Sequence, residues 1–223
     1  MRQLRPLSLA VALVVLPGVV LPPTVRSSPT VDLHWNSCTS TLMNLDGGQG
    51  STPKLVVTAH GLTGTIRGYY LGIRFWSLGA LLPQAWRFDS EGCAAGLLTG
   101  GAVSSNAACP RLGGYPSPTT YQYQYLGEGV SRGWLGFSSQ FPAFVADPAT
   151  TYTLAEFNFD FGGTFNGAGS RADSCGCLDR PLCLALTDHE WFDGDLQPRS
   201  MASIRDALTW NDPTNTNVCP IGP

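Results

Sequence analysis

The sequence predicts an all-β protein, a two-layer antiparallel β-sandwich with long disulfide-stapled loops, and three observations carry that expectation. Short segments rich in β-branched and aromatic residues recur along the chain, several in strict alternation. Twenty-six glycines and 17 prolines punctuate them, as the many turns of a sandwich require. Seven cysteines are available to tie down the connections.

The chain opens with Arg2 and Arg5, continues in a 15-residue apolar run from Leu7 to Leu21, and then breaks into a Pro- and Ser-rich stretch ending at Pro29. Charged, apolar, then breaking is the order of a secretion signal. Pro17 and Gly18 interrupt the run, which falls short of the roughly 20 residues a spanning helix needs. We therefore expect residues 1–27 to be a signal peptide, 28–31 a short linker and 32–223 a single β-sandwich domain, secreted to the extracellular medium or periplasm. No membrane span is expected after cleavage.

Cutting after Ser27 removes Arg2, Arg5 and Arg26, leaves 196 residues with 10 basic against 16 acidic side chains, and moves the formal charge from −3 to −6. Phosphate backbones repel such a surface, which argues against nucleic acid as a partner. Lys54 is the one lysine, and charged residues make up 13% of the chain, so solubility rests on Ser, Thr, Asn, Gln and Gly.

The strand expectations follow in order. Lys54–His60 (KLVVTAH) and Tyr69–Trp76 (YYLGIRFW) are separated by Gly61, Gly64 and Gly68, as strands and turns alternate. Tyr121–Tyr125 (YQYQY) has a period of two. Trp134–Phe137 and Leu182–Leu186 read as shorter strands. In residues 151–161, Phe157, Phe159 and Phe161 share one face and Glu156, Asn158 and Asp160 the other, predicting one buried and one wet side. The helical signal is weaker: Ile204, Ala207 and Leu208 follow Ser200 at helical spacing, in a segment that also fits a last strand.

Cys38, Cys93, Cys109, Cys175, Cys177, Cys183 and Cys219 all follow the signal. Outside the cell they are expected to pair, and an odd count allows at most three bridges in 105 arrangements. Loop length favours Cys93 with Cys109. Cys183 is expected to take Cys175 or Cys177, and Cys38 with Cys219 would join the two ends of the domain.

Catalytic patterns are sparse. The Gly-x-Ser-x-Gly elbow of serine hydrolases does not occur. Ser51 and Lys54 match a Ser-x-x-Lys spacing, but Pro53 and the preceding glycines place them at a turn entering a strand rather than on one helix turn. His60 lies at a strand end opposite Leu55, Val57 and Ala59, and His34 beside Trp35, and both read as solvent-facing rather than as bases. Glu156 and Asp160 lie roughly 13 Å apart on a strand, too far for a glycosidase pair.

Cys175, Cys177, Cys183 and His189 have spacing that suits tetrahedral zinc, although an oxidising compartment favours disulfides. Asp188, Glu190, Asp193 and Asp195 put four carboxylates within eight residues, a set able to offer calcium hard oxygen ligands and equally a solvated acidic turn. No other cofactor is indicated.

Aromatic residues carry the ligand expectation. Tyr121, Tyr123 and Tyr125 project from one side of a strand and, with Trp134, offer a platform for stacking sugar rings. The competing placement, which tyrosine chemistry favours, packs the three rings into the core with the hydroxyls reaching its edge.

From Lys54 to Trp76 the order strand, Gly61-Leu62, turn, Ile66-x-Gly68, strand resembles the early hairpin of cohesin-type and carbohydrate-binding-module-like sandwiches of secreted bacterial proteins. Val31-Asp-Leu-x-Trp35, Cys175-Gly-Cys177 and Pro181-Leu-Cys183 make the mature chain similar to a group of exported bacterial β-sandwich proteins. The resemblance implies a sandwich that binds a partner module through an exposed sheet face, and no site residue comes with it. The expected function is thus a secreted, non-catalytic binding or surface-associated module for glycans or a protein partner. The alternatives are a secreted hydrolase with an unrecognised site, marked by a deep pocket holding His60 or His189 against Asp or Ser, and a purely structural envelope protein.

Overall fold

A computed structural model describes residues 28–47, 52–77, 81–100, 107–113, 120–126, 132–161 and 180–212. The expected signal peptide and Ser51, Cys175, Cys177 and Cys219 lie outside them. Within the described residues the chain forms twelve strands and one 3-10 turn: β1 (Thr30–Trp35), β2 (Asn44–Leu45), β3 (Lys54–His60), β4 (Gly64–Ser77), the turn Gln84–Trp86, β5 (Leu98–Gly100), β6 (Thr120–Tyr125), β7 (Arg132–Ala146), β8 (Tyr152–Phe159), β9 (Leu182–Asp193), β10 (Pro198–Ser200), β11 (Ala202–Arg205) and β12 (Ala207–Trp210). β1 takes up Thr30 and Val31 from the stretch read as linker.

Two sheets pack face to face. One runs β11-β1-β3-β8-β5 and the other β2-β12-β9-β4-β7-β6, with β10 beside β9. Pairing is antiparallel except at two margins, where β11 runs parallel to β1 and β12 parallel to β2. The sandwich expectation therefore holds, with parallel pairs where the late chain returns to the first strands. The helical spacing near residue 204 loses to these pairings, because β1 and β9 supply the segment with ladder partners that an isolated short helix lacks.

Alternation builds the core as the sequence requires. Leu33, Trp35, Leu55 and Val57 from the smaller sheet meet Leu71, Ile73, Phe75 and Phe137 from the larger, all essentially without solvent exposure. Aromatic polar atoms tie the layers together. Trp35 Nε1 donates to Thr209 O at 3.0 Å, and the Tyr69 hydroxyl donates to Leu154 O, so each ring brings a donor that finds its acceptor. At one end Trp86 enters between the sheets and meets Phe159, Phe161 and Trp210 with ring centroids 5.1–5.3 Å apart.

The outer face of the smaller sheet is covered over its middle. Cys38 and Cys109 form a disulfide with Cα atoms 6.4 Å apart, and the bridge packs on Val56. Residues 109–112 follow β8, with Thr153 N donating to Pro110 O and Leu112 N to Thr153 O. Glu156 is consequently 7% exposed and accepts from Lys54 Nζ at 3.1 Å. The expected wet side of residues 151–161 survives only at Asn158 and Asp160, because sequence alternation cannot foresee a distant segment laid over a strand.

Candidate functional site

The larger sheet keeps an accessible outer face. Its long central strands β7, β4 and β9 send alternate side chains away from the core, and the register aligns them in rows. Tyr70 stands opposite Ser138 on β7 and Glu190 on β9, and Thr120 on β6 continues that row beyond Ser138. Gly72 stands opposite Gly136 and Asp188 in the next row.

Along the first row lies an open groove of about 480 Å³, lined by Tyr70, Thr120, Ser138, Gln140, Glu190 and Phe192 together with Tyr69 and Ser139. Partial burial raises the Tyr70 phenol above its ordinary pKa, and the nearby Asp188 and Glu190 carboxylates push it further the same way. The phenol therefore keeps its O–H, which can serve as a donor to a partner. Hydroxyls, one amide and one carboxylate beside three rings suit hydrogen bonding and stacking with a polar partner. Among the described residues the lining holds no cation to fix an anion and no nucleophile hydrogen-bonded to a base.

Beside the groove, Trp134 lies flat on the sheet. A Cβ added at Gly136 would stand 2.0 Å from Trp134 Cη2, and one at Gly72 would stand 2.9 Å from its Nε1. The two glycines are thus the seat of the indole. Further along, Trp76 is flanked by the guanidinium carbons of Arg74 and Arg132, 5.4 and 5.7 Å from its ring centroid, a cation–π arrangement.

Of the residues expected to bind sugars, only Trp134 is on this face. Tyr121, Tyr123 and Tyr125 turn inward: the Tyr121 hydroxyl donates to Leu98 O at 3.2 Å and the Tyr123 hydroxyl to Trp86 O at 2.7 Å. Tyr123 packs edge-on against Phe75 and Phe88, and the Arg87 guanidinium covers Tyr125 at 4.1 Å. Burial raises the Tyr123 phenol far above its ordinary pKa. The flat tyrosine platform is therefore replaced by the core placement, and the exposed residues of β6 are Thr120, Gln122 and Gln124.

The four carboxylates considered for calcium are divided. Asp193 accepts from the backbone N–H of Asp195 and Gln197 and from Arg199 at 2.8 Å, which closes the hairpin to β10 and lowers its pKa. Asp188 and Glu190 project from the outer face and Asp195 from the turn. Among the described residues, no three His, Cys, Asp or Glu side chains gather as ligands. The zinc set is broken as well, since Cys183 is disulfide-bonded and packs with Ala185 and Trp76 on the outer side.

The expected bridges are also corrected. Cys109 bonds Cys38 and not Cys93, and Cys38 is therefore not joined to Cys219. Cys93 is disulfide-bonded elsewhere. Proximity in sequence favoured a short loop, whereas the fold carries residue 109 across the sheet to residue 38.

His60 is exposed and its Nδ1 lies 3.3 Å from the Thr151 hydroxyl. His34 is half-buried rather than solvent-facing, with Nε2 2.9 Å from Thr58 Oγ1 and Nδ1 3.0 Å from Ser40 O. Its pKa is lowered, chiefly by burial. His189 Nδ1 is buried without a hydrogen-bond partner among the described residues. None of the three meets an Asp or Ser side chain in a pocket.

The groove itself was missed by sequence reasoning. The signal was present in the alternation of Tyr70, Gly72 and Arg74 against Leu71, Ile73 and Phe75, which marks the outer face of one strand. Its neighbours Ser138 and Glu190 come from strands much longer than their apolar cores suggested.

No protein-family model matches the chain, and no curated protein matches it. Among solved structures it is similar to cohesin modules. The sixth cohesin of Acetivibrio cellulolyticus scaffoldin B aligns at 12% identity over 83% of this chain and 99% of that one, with a TM-score of 0.42. The second type II cohesin of the ScaA scaffoldin of the same organism gives 14% identity, 88% and 94% coverage and a TM-score of 0.43. The OlpA cohesin of Clostridium thermocellum, solved with the dockerin of Doc918, gives 7%, 82%, 98% and 0.42. The chain is thus weakly cohesin-like, and that likeness carries no residue role.

Proposed function

We propose that this protein is a non-catalytic binding module, acting after export, that receives a protein partner on the outer face of its larger sheet. The observation that carries the reading is the groove lined by Tyr70, Ser138, Thr120, Gln140 and Glu190 on that face, while the opposite outer face is covered over Val56 by the Cys38–Cys109 bridge. Open sheet faces with aligned polar rows offer hydrogen bonds to peptide groups, and Tyr70 adds an amphipathic ring of the kind enriched at interfaces. Among the described residues of the groove, no hydroxyl is hydrogen-bonded to a base as hydrolysis needs. The disulfides support an oxidising compartment. Among the described residues no helix is long and apolar enough to cross a membrane.

Panning a displayed peptide library on the folded protein, with isothermal titration of the selected peptides, tests the proposal. Peptides bound by the wild type should lose about tenfold or more in affinity to Tyr70→Ala and Ser138→Arg. Selection of glycans alone on an array, or turnover of a polysaccharide or peptide panel, would overturn it.

A further inference from the structure

The larger sheet ends in an edge strand, β6, whose second side has no strand beside it among the described residues. Its phase is fixed by one bond: Leu126 N donates to Arg132 O at 3.2 Å, in the same register that pairs Thr120 with Ser138 and Gln124 with Trp134. Hydrogen-bonded and non-hydrogen-bonded pairs alternate along an antiparallel ladder. Thr120, Gln122 and Gln124 therefore turn their N–H and C=O groups toward β7. Tyr121, Tyr123 and Tyr125 turn theirs to the open edge, although their rings point into the core.

Edges of this kind are ordinarily blunted by Lys, Pro, a bulge or an inward charge. The strand TYQYQY has none of these, and its pairing with β7 has no register shift. It is uncharged throughout, so a second identical strand meets no repulsion.

We propose that β6 is a homodimerisation edge, pairing antiparallel with β6 of a second copy of this chain about a two-fold axis through Tyr123. The register follows from geometry. A two-fold perpendicular to the sheet keeps exposed residues on the exposed face of both copies, so exposed must stand opposite exposed. Centring on Tyr123 satisfies this and pairs all three edge-facing tyrosines, Tyr123 with its counterpart and Tyr121 with Tyr125 of the second copy. Each such pair exchanges two backbone hydrogen bonds. On the outer face Gln122 then meets Gln124 of the second copy, amide to amide. The interface is isologous and closes at two subunits, and it extends the two outer faces into one continuous sheet.

Sedimentation equilibrium of the purified protein with its disulfides intact, from micromolar to about 1 mM, tests the proposal. A reversible monomer–dimer equilibrium is expected. Q122K/Q124K sets like charges opposite at two symmetric positions and should weaken the dimer at least about tenfold, whereas Q122K/Q124E sets opposite charges there and should restore it. Both side chains are exposed, and circular dichroism checks that each variant folds. Amide hydrogen exchange reads the edge directly in the wild type: Tyr121, Tyr123 and Tyr125 should exchange fast when dilute and slow when concentrated. A monomer at every concentration, a dimer indifferent to the charge pattern, open-ended oligomers, or amides already protected at high dilution would each overturn it.

Discussion

Trp86 offers the sharpest test of how the sandwich is held. It is fully buried and sits on a 3-10 turn whose N–H donates to Pro83 O at 2.8 Å. Five rings surround it: Phe75, Phe88, Phe159, Phe161 and Trp210, at centroid distances of 5.1–6.1 Å. Those rings belong to both sheets and to the 3-10 segment, so a space left among them cannot collapse without separating the layers. Trp86→Ala should therefore cost about 3–5 kcal/mol, a fall of about 6–20 °C in Tm for a chain of this size. The indole Nε1–H has no hydrogen-bond partner among the described residues, and an orphaned buried donor costs about 1–3 kcal/mol. Trp86→Phe leaves a smaller cavity than Trp86→Ala and removes that donor, so its net cost should be clearly the smaller of the two. Urea denaturation followed by circular dichroism, with the m-value checked, measures both variants. If Trp86→Phe destabilises as much as Trp86→Ala, the account of the orphaned donor is wrong.

Other expectations follow from the same geometry. Cys38→Ser with Cys109→Ser opens a bridge spanning 71 residues and should lose about 4 kcal/mol in the chain-entropy model; a loss below about 1 kcal/mol in denaturant titration would contradict it. His34 is held below its ordinary pKa, chiefly by burial with Arg205 adding to it. The folded state thus binds fewer protons than the unfolded one below about pH 6.5, and stability should fall as pH drops through that value. His34→Gln should flatten this acid limb, and urea midpoints at pH 7.5 and 5.0 that shift equally in both proteins would refute the assignment. Gly136→Ala puts a methyl group where the Trp134 ring lies, so it should lift the indole toward solvent at a cost of about 1–3 kcal/mol; unchanged tryptophan emission and Tm would show that the ring does not rest there.

The boundaries of Lys54–His60 could be read directly because β-branched residues and flanking turn glycines coincide there, and β3 occupies those same residues. The strands around Trp134 and Leu182 were legible only in part. β7 extends to Ala146 and β9 to Asp193 through Ser, Gln, Asp and Glu, residue types that a propensity reading assigns to loops. β4 pairs with both extensions, and β10 with the end of β9, which completes backbone hydrogen bonds there and overrides local preference. The groove follows the same logic, since it lies along those extensions.

What the sequence determined by itself is class and facing: an all-β chain in two layers, with Leu55, Val57, Phe157 and Phe159 inward, because a period of two in side-chain polarity has one way to sort between core and water. It left undecided whether the tyrosines of β6 faced in or out, because tyrosine suits both. Tertiary structure settled that choice, along with the partner of Cys109, the covered face over Val56 and the rows that place Tyr70 beside Ser138 and Glu190. Each depends on which distant strand comes to lie alongside, and that is fixed by packing of the whole core rather than by any local pattern.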